Sequence, residues 1–155
     1  MLLFDKHKIN KEEDLIFHKD LYSKIKNLKT CIPHMIFYGN SGCGKNTLVK
    51  LFLKEVFGEK VEKTSLVTYT IKGYSNNNIY KTIQSDYHIE ITPEKANIDK
   101  YIVQNVILRY VKTKPFFSKL NIILIKQAET LSYYAQTSLR RTIEKYSKYY
   151  RFIFI

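Results

Sequence analysis

Residues 39 to 47 read Gly39-Asn40-Ser41-Gly42-Cys43-Gly44-Lys45-Asn46-Thr47. The spacing fits the phosphate-binding pattern G-x-x-x-x-G-K-[ST] at Gly39, Gly44 and Lys45. Small residues let successive backbone N–H groups turn toward phosphate oxygens, and a helix that opens just after them adds its positive end. Lys45 is long enough to bring an ammonium to the outer phosphates of a nucleotide. The next position departs from the pattern. Asn46 stands where a hydroxyl normally ligates Mg²⁺, and Thr47 comes one place late. The Asn46 carbonyl oxygen offers only a weak metal contact. The bland alternative is a glycine-rich turn with an incidental lysine. The chemistry this stretch predicts is contact with the phosphates of a nucleotide.

Hydrolysis at such a loop needs an acid at the end of a later strand to hold Mg²⁺, and commonly a Glu beside it to orient water. The run Ile122 to Ile125 is the candidate strand, and Lys126-Gln127-Ala128-Glu129 follows it. Lys126 cannot ligate a cation, and Gln127 cannot take a proton. Glu129 lies past the strand end and is expected to aim elsewhere. No catalytic residue is assigned. The residues predict a phosphate cradle without its own hydrolytic machinery.

Elements must position these groups. Met35-Ile36-Phe37-Tyr38 is a short apolar run stopped by Gly39, as a buried strand would be. After the turn, Leu48, Leu51, Phe52 and Val56 mark one face of a helix over 45–57, with Gly58 as its stop. Upstream, Leu21, Ile25 and Leu28 predict a helix over 12–28, ended before Pro33. Downstream, 66–71 is rich in β-branched residues and predicts a strand; 73–78 predicts a loop. A short strand at 88–91 is ended by Pro93. Ile98, Tyr101, Ile102, Asn105, Val106 and Arg109 predict a helix that stops before Lys114-Pro115. A buried strand at 121–125 precedes a helix over 132–146 with Ala135, Leu139, Thr142, Ile143 and Tyr146 inward. Arg140, Arg141, Lys145 and Lys148 are basic positions in or just after that helix. A last strand runs over 151–155. Strands alternating with helices predict an α/β fold with a parallel sheet and helices on both faces.

The chain has 155 residues, which suits one domain spanning 1–155. Its net charge is +12, and only Arg109, Arg140, Arg141 and Arg151 among the basic residues are arginines. A lysine-rich composition fits A/T-rich coding as well as it fits a polyanion partner. An apolar share of 45% excludes a disordered tail. Two cysteines exclude a disulfide scaffold, so Cys31 and Cys43 are expected as reduced thiols. Apolar runs fall far short of the ~20 residues that span a bilayer, and Met1 to Lys6 does not read as a secretory signal. An intracellular chain with no membrane partner is expected. His7, His18, His34 and His88 lack metal-ligand spacing and are expected in structural or surface roles.

Several segments together resemble the small subunits of replication factor C, the AAA+ clamp loader. Phe4-Asp5-Lys6-His7-Lys8 looks like that family's W-V-x-K-Y-R-P opening. Pro33-His34-Met35-Ile36-Phe37-Tyr38-Gly39 is similar to P-H-L-L-F-Y-G. Ser138-Leu139-Arg140-Arg141-Thr142-Ile143-Glu144-Lys145-Tyr146 is similar to A-L-R-R-T-M-E-x-Y. Within the family the resemblance is to the eukaryotic branch with G-P-S-G-A-G-K-K-T and a degenerate second acid motif. Ser85-Asp86-Tyr87-His88-Ile89-Glu90 resembles that branch's S-N-Y-H-L-E, and Val61-Glu62-Lys63 also matches it.

The resemblance implies an AAA+ P-loop NTPase core in three layers, and a role in loading the sliding clamp onto primer–template DNA. It implies ATP as cofactor, partners in the other clamp-loader subunits, the clamp and DNA, and work in the nucleus or wherever DNA is replicated. Arg140 and Arg141 match a helix near the subunit interface and the DNA channel. Family members are about double this length. They continue with a sensor Asn, an S-R-C arginine finger, a last strand, a lid and a helical collar. The chain is therefore expected to represent the core without those parts: a truncated frame, half of a split protein, or a remnant. The strand at 35–38 is then expected at a sheet edge. Two other readings stay open: a free-standing P-loop NTPase or nucleotide kinase, and an interaction module that has lost nucleotide.

Overall fold

A computed structural model describes Ile9 and residues 11–72, 77–93 and 99–155. The expected loop residues 73–76, Ile98 and the opening segment 4–8 lie outside the described residues.

The run Asn121–Ile125 (β5) is buried at every position, as suits a strand covered on both faces. His88–Ile91 (β4) and Tyr150–Phe154 (β6) flank it, both parallel to it. Met35–Ile36 (β1) pairs in parallel with β6. Ser65–Lys72 (β2) and Asn77–Gln84 (β3) pair antiparallel, and β3 runs antiparallel to β4. The sheet order is β1-β6-β5-β4-β3-β2.

The sheet is thus mixed rather than all parallel, and β3 occupies the end of a segment expected as loop. Asn77 and Asn78 read as turn residues, but the long register with β2 overrides that preference. Thr82 is buried in β3, and its hydroxyl donates to the Val67 carbonyl at 3.3 Å.

Helices cover both faces. Lys45–Phe57 (preceded by Lys19–Lys26, α1, and so α2) has the expected limits. Gly58, at φ 76, closes it with its N–H on the Lys54 carbonyl at 2.8 Å. Val49 and Leu53 widen its buried face beyond the expected stripe. Asp99–Ile102 (α3), a π turn Val103–Ile107, and Leu108–Lys112 (α4) form one continuous helical segment. Tyr133–Tyr146 (α5) is capped by Ser132, whose hydroxyl accepts the Ala135 N–H at 3.3 Å. The buried Asp99 carboxylate accepts the Ser132 N–H at 2.5 Å and ties α3 to the start of α5.

Alternation along β5 divides the core. Ile122 and Leu124 pack with Val49, Phe52 and Leu53 of α2. Ile123 and Ile125 pack with Val106, Ile107 and Leu139 on the opposite face. Each such fully buried side chain contributes about 1.5–3 kcal/mol.

The helix expected over 12–28 is broken. A 3₁₀ turn at Glu12–Asp14 comes first, then an extended Leu15, and α1 begins only after His18 at φ 64. Of the expected apolar stripe only Ile25 is buried, with Tyr22 beside it, while Leu21 and Leu28 face outward. Leu15 is instead buried in a small cluster with Tyr22, Leu48 and Leu51. Burial there requires the chain to turn before α1.

Among the described residues β1 is an edge strand, as expected, and shorter than its apolar run. The Phe37 N–H still reaches the Phe154 carbonyl at 2.8 Å. Below β1 the His34 ring takes over the pairing: its Nδ1 accepts the Phe152 N–H at 3.0 Å. His34 is structural, and burial, aided by the Arg151 charge, lowers its pKa from the ordinary value.

Candidate functional site

The chain leaves β1, turns through residues 39–44 and enters α2 at Lys45. Gly39 sits at φ 153, and a Cβ there would lie 3.1 Å from Cys43 Sγ. Gly44, at φ 85, is the residue before the helix. A side chain at such a left-handed position costs roughly 1–2 kcal/mol. The turn therefore demands glycine at the two positions the motif singles out. Asn40, Ser41, Gly42 and Asn46 are exposed, while Cys43, Lys45 and Thr47 are half-buried.

Lys45 folds into this turn. Its Nζ donates to the Gly39 carbonyl at 2.6 Å and the Asn40 carbonyl at 2.8 Å. The α2 ladder opens with the Leu48 N–H on the Gly44 carbonyl at 3.0 Å. The helix amides ahead of Leu48 therefore have no partner within the ladder. A cleft of about 670 Å³ lies beside the turn. Gly42, Cys43, Gly44 and Thr47 form one wall, and Leu15, Ile16 and Phe17 form another. Ile16 and Phe17 are 77% and 75% exposed. Sequence reasoning missed this wall because it placed both residues inside a helix. The available signal was Ile16, which lies off the apolar stripe of that helix, whereas Phe17, four residues before Leu21, falls on it.

The acid position at the end of β5 is filled as expected by Lys126, but its surroundings were not foreseen. The Lys126 backbone N–H bonds the Ile91 carbonyl at 2.8 Å. Its Nζ lies 2.5 Å from Oε2 of Glu90. Glu90 Oε1 is 3.6 Å from His88 Nε2. Burial pushes the Glu90 carboxyl upward. The nearby His88 ring, together with the hydrogen bond and charge of Lys126, outweighs that and holds its pKa at about 2. Gln127 is exposed at φ 52, and Glu129 is exposed in the 3₁₀ turn Ala128–Thr130.

Arg140 and Arg141 are exposed on α5, which packs on the sheet face opposite α2. Arg140 Nε is 3.3 Å from Glu144. The structure therefore does not bring the two arginines together with the glycine turn. Tyr133 and Tyr134 are exposed at the start of the same helix. Cys31 and Cys43 are free thiols. No helix among the described residues is long and apolar enough to cross a membrane.

Fold and site together define a mixed α/β domain, its largely parallel sheet ending in a strand, a glycine turn and a helix. The chain belongs to the family described as DNA polymerase III, delta subunit, which it matches over residues 16–155. It is 38% identical to a protein of Acanthamoeba polyphaga mimivirus assigned as a replication factor C small subunit, over 100% of this chain and 44% of that protein. Replication factor C subunit 3 of Arabidopsis thaliana is 36% identical over 99% of this chain and 46% of its own length. The mouse subunit 3 is 32% identical over 98% and 45%. The chain spans about half the length of the curated relatives it matches. A solved DNA polymerase III gamma-subunit-related protein from Thermotoga maritima shares the fold. Its TM-score is 0.56 at 12% identity, over 86% of this chain and 38% of that one. The likeness to replication factor C small subunits expected from the motifs thus extends along the whole chain.

Proposed function

We propose that this chain is the nucleotide-binding core of a clamp-loader small subunit, one that holds ATP and does not hydrolyse it alone. Residues 39–47 cradle the phosphates, and Ile16 and Phe17 face the base across the cleft. The observation that carries this reading is Lys45, whose ammonium rests on the Gly39 and Asn40 carbonyls inside the turn. An ammonium held there by neutral oxygens gains more from phosphate oxygens, because their negative charge adds Coulombic attraction to the hydrogen bond. The absence of an acid at Lys126 and of a base at Gln127 supports binding without turnover. Arg140 and Arg141, outward on α5, serve a neighbouring subunit or primer–template DNA. The partners are the other loader subunits and the sliding clamp, at the site of DNA replication, the nucleus in a eukaryotic cell.

A fluorescent ATP analogue titrated into the purified chain tests the reading. Saturable binding is expected, and Lys45→Ala is expected to weaken it at least about tenfold, the scale of one lost charge-assisted contact. Phosphate release by the chain alone is expected at the level of a protein-free blank. Steady turnover would overturn the reading in favour of a free-standing NTPase or kinase. Failure to bind would leave an interaction module.

A further inference from the structure

β2 forms one margin of the sheet, and among the described residues no strand pairs with its outer side. Natural sheets blunt such a margin with a charge, a proline, a bulge or a very short strand. β2 has none of these. It runs for eight residues, and Ser65 to Ile71 holds neither a charge nor a proline. Its register with β3 is unbroken from Ser65 opposite Gln84 to Lys72 opposite Asn77. Val67, Thr68, Tyr69, Thr70 and Ile71 are all strong strand formers.

Hydrogen bonds fix which backbone groups point outward. The Ser85 N–H donates to the His88 carbonyl at 2.8 Å, so Ser85 and, by alternation, Ile83 turn their backbone groups toward β4. Thr82 and Gln84 then turn theirs toward β2, and their partners Val67 and Ser65 answer them. The Thr82 hydroxyl on the Val67 carbonyl agrees with this. The N–H and carbonyl groups of Leu66, Thr68 and Thr70 therefore point away from the sheet.

We infer that this edge binds a second copy of the chain, β2 pairing antiparallel with β2 about a two-fold axis at Thr68. That register brings all the outward residues into hydrogen-bonded pairs, Thr68 with its twin and Leu66 with the other copy's Thr70. Side chains match on both faces. Val67 falls opposite the other copy's Tyr69, a branched–aromatic pair of the kind that stabilises sheets. On the other face Leu66 and Ile83, joined in register, meet Thr70 and Ile79. Leu66, Ile79 and Ile83 are exposed in the single chain, on the side of the sheet that α2 covers farther along. Lys81 lies beside Thr68 in register, so the two copies of Lys81 stand three strand spacings apart, roughly 14 Å. That exceeds the screening length of about 8 Å at physiological salt. β1 and the glycine turn after it sit at the opposite margin and stay free.

Light scattering coupled to gel filtration tests this with the purified chain. The mass is expected to move from one chain toward two as concentration rises from about 3 to about 300 µM, because one strand edge is a small interface. Thr68→Lys, at an exposed site, sets like charges face to face on the axis and should hold the chain monomeric with unchanged circular dichroism. Ile36→Lys, at the opposite edge, should dimerise as the parent does. A second measurement fixes the register. In Cys31→Ser/Cys43→Ser chains, Thr68→Cys should cross-link under oxidised glutathione, because the axial Cα atoms lie about 5.5 Å apart. Leu66→Cys, well offset from its twin, should not. A chain that stays monomeric throughout the series, or a folded Thr68→Lys that dimerises as the parent does, overturns the inference. A dimer abolished by Ile36→Lys, or cross-linked through Leu66→Cys and not through Thr68→Cys, overturns it as well.

Discussion

Glu90 keeps its charge under cover, and the acid limb of stability should show it. Its folded pKa of about 2 lies below the ordinary 4.5. A depressed carboxylate stabilises the fold fully above its unfolded pKa, and that contribution is lost as pH falls through the folded value. The window is therefore pH 4.5 down to about 2. Across it the pair's contribution should fade by something on the order of 2–3 kcal/mol. Urea unfolding at stepped pH should show this slope in the parent and a flatter one in Glu90→Gln. Equal slopes would mean that the pair is solvated. The two glycines at Gly39 and Gly44 work differently, through backbone conformation alone. Their φ values are set before any ligand arrives.

At the scale of elements, β1 is the weak point. Two residues pair with β6, of which Ile36 is 78% exposed, and beyond them Tyr38 is 99% exposed. An apolar strand edge offers unpaired backbone groups to another chain. Ile36→Lys should lower light scattering in concentrated solution while the melting midpoint stays nearly unchanged, since an exposed site contributes within about 0.5 kcal/mol. Unchanged scattering would acquit this edge. The opposite margin of the sheet is built by β2 and β3, whose antiparallel pairing extends the parallel core by a different rule. The break between the first 3₁₀ turn and α1 matters more for the site, because it frees Ile16 and Phe17 to line the cleft.

For the whole molecule the net charge of +12 is the dominant quantity. The proposed DNA contact through Arg140 and Arg141 predicts binding that weakens steeply with salt. The double variant Arg140→Ala/Arg141→Ala should reduce the slope of log K against log salt by up to about 2, with the fold untouched because both side chains are exposed. An unchanged slope would assign the two residues to a protein interface instead. The glycine turn and α5 lie against opposite faces of the sheet, so nucleotide and α5 ligands can be varied independently.

By itself the sequence determined the pieces whose signals are local. The glycine spacing at 39–44, the limits of α2, and the all-apolar β5 each follow from side-chain size, periodicity or backbone freedom within one segment. The loss of the acid and base at 126 and 127 was equally legible, since it needs only residue identity. Tertiary structure alone decided the rest. Asn77 and Asn78 enter a strand because β2 supplies partners for their backbone. Ile16 and Phe17 form a wall because burying Leu15 and Tyr22 turns the chain between them. Lys126 finds Glu90 because parallel register sets residues distant in sequence side by side. Pairing, burial and charge balance are properties of contacts, and contacts exist only once the chain has closed on itself.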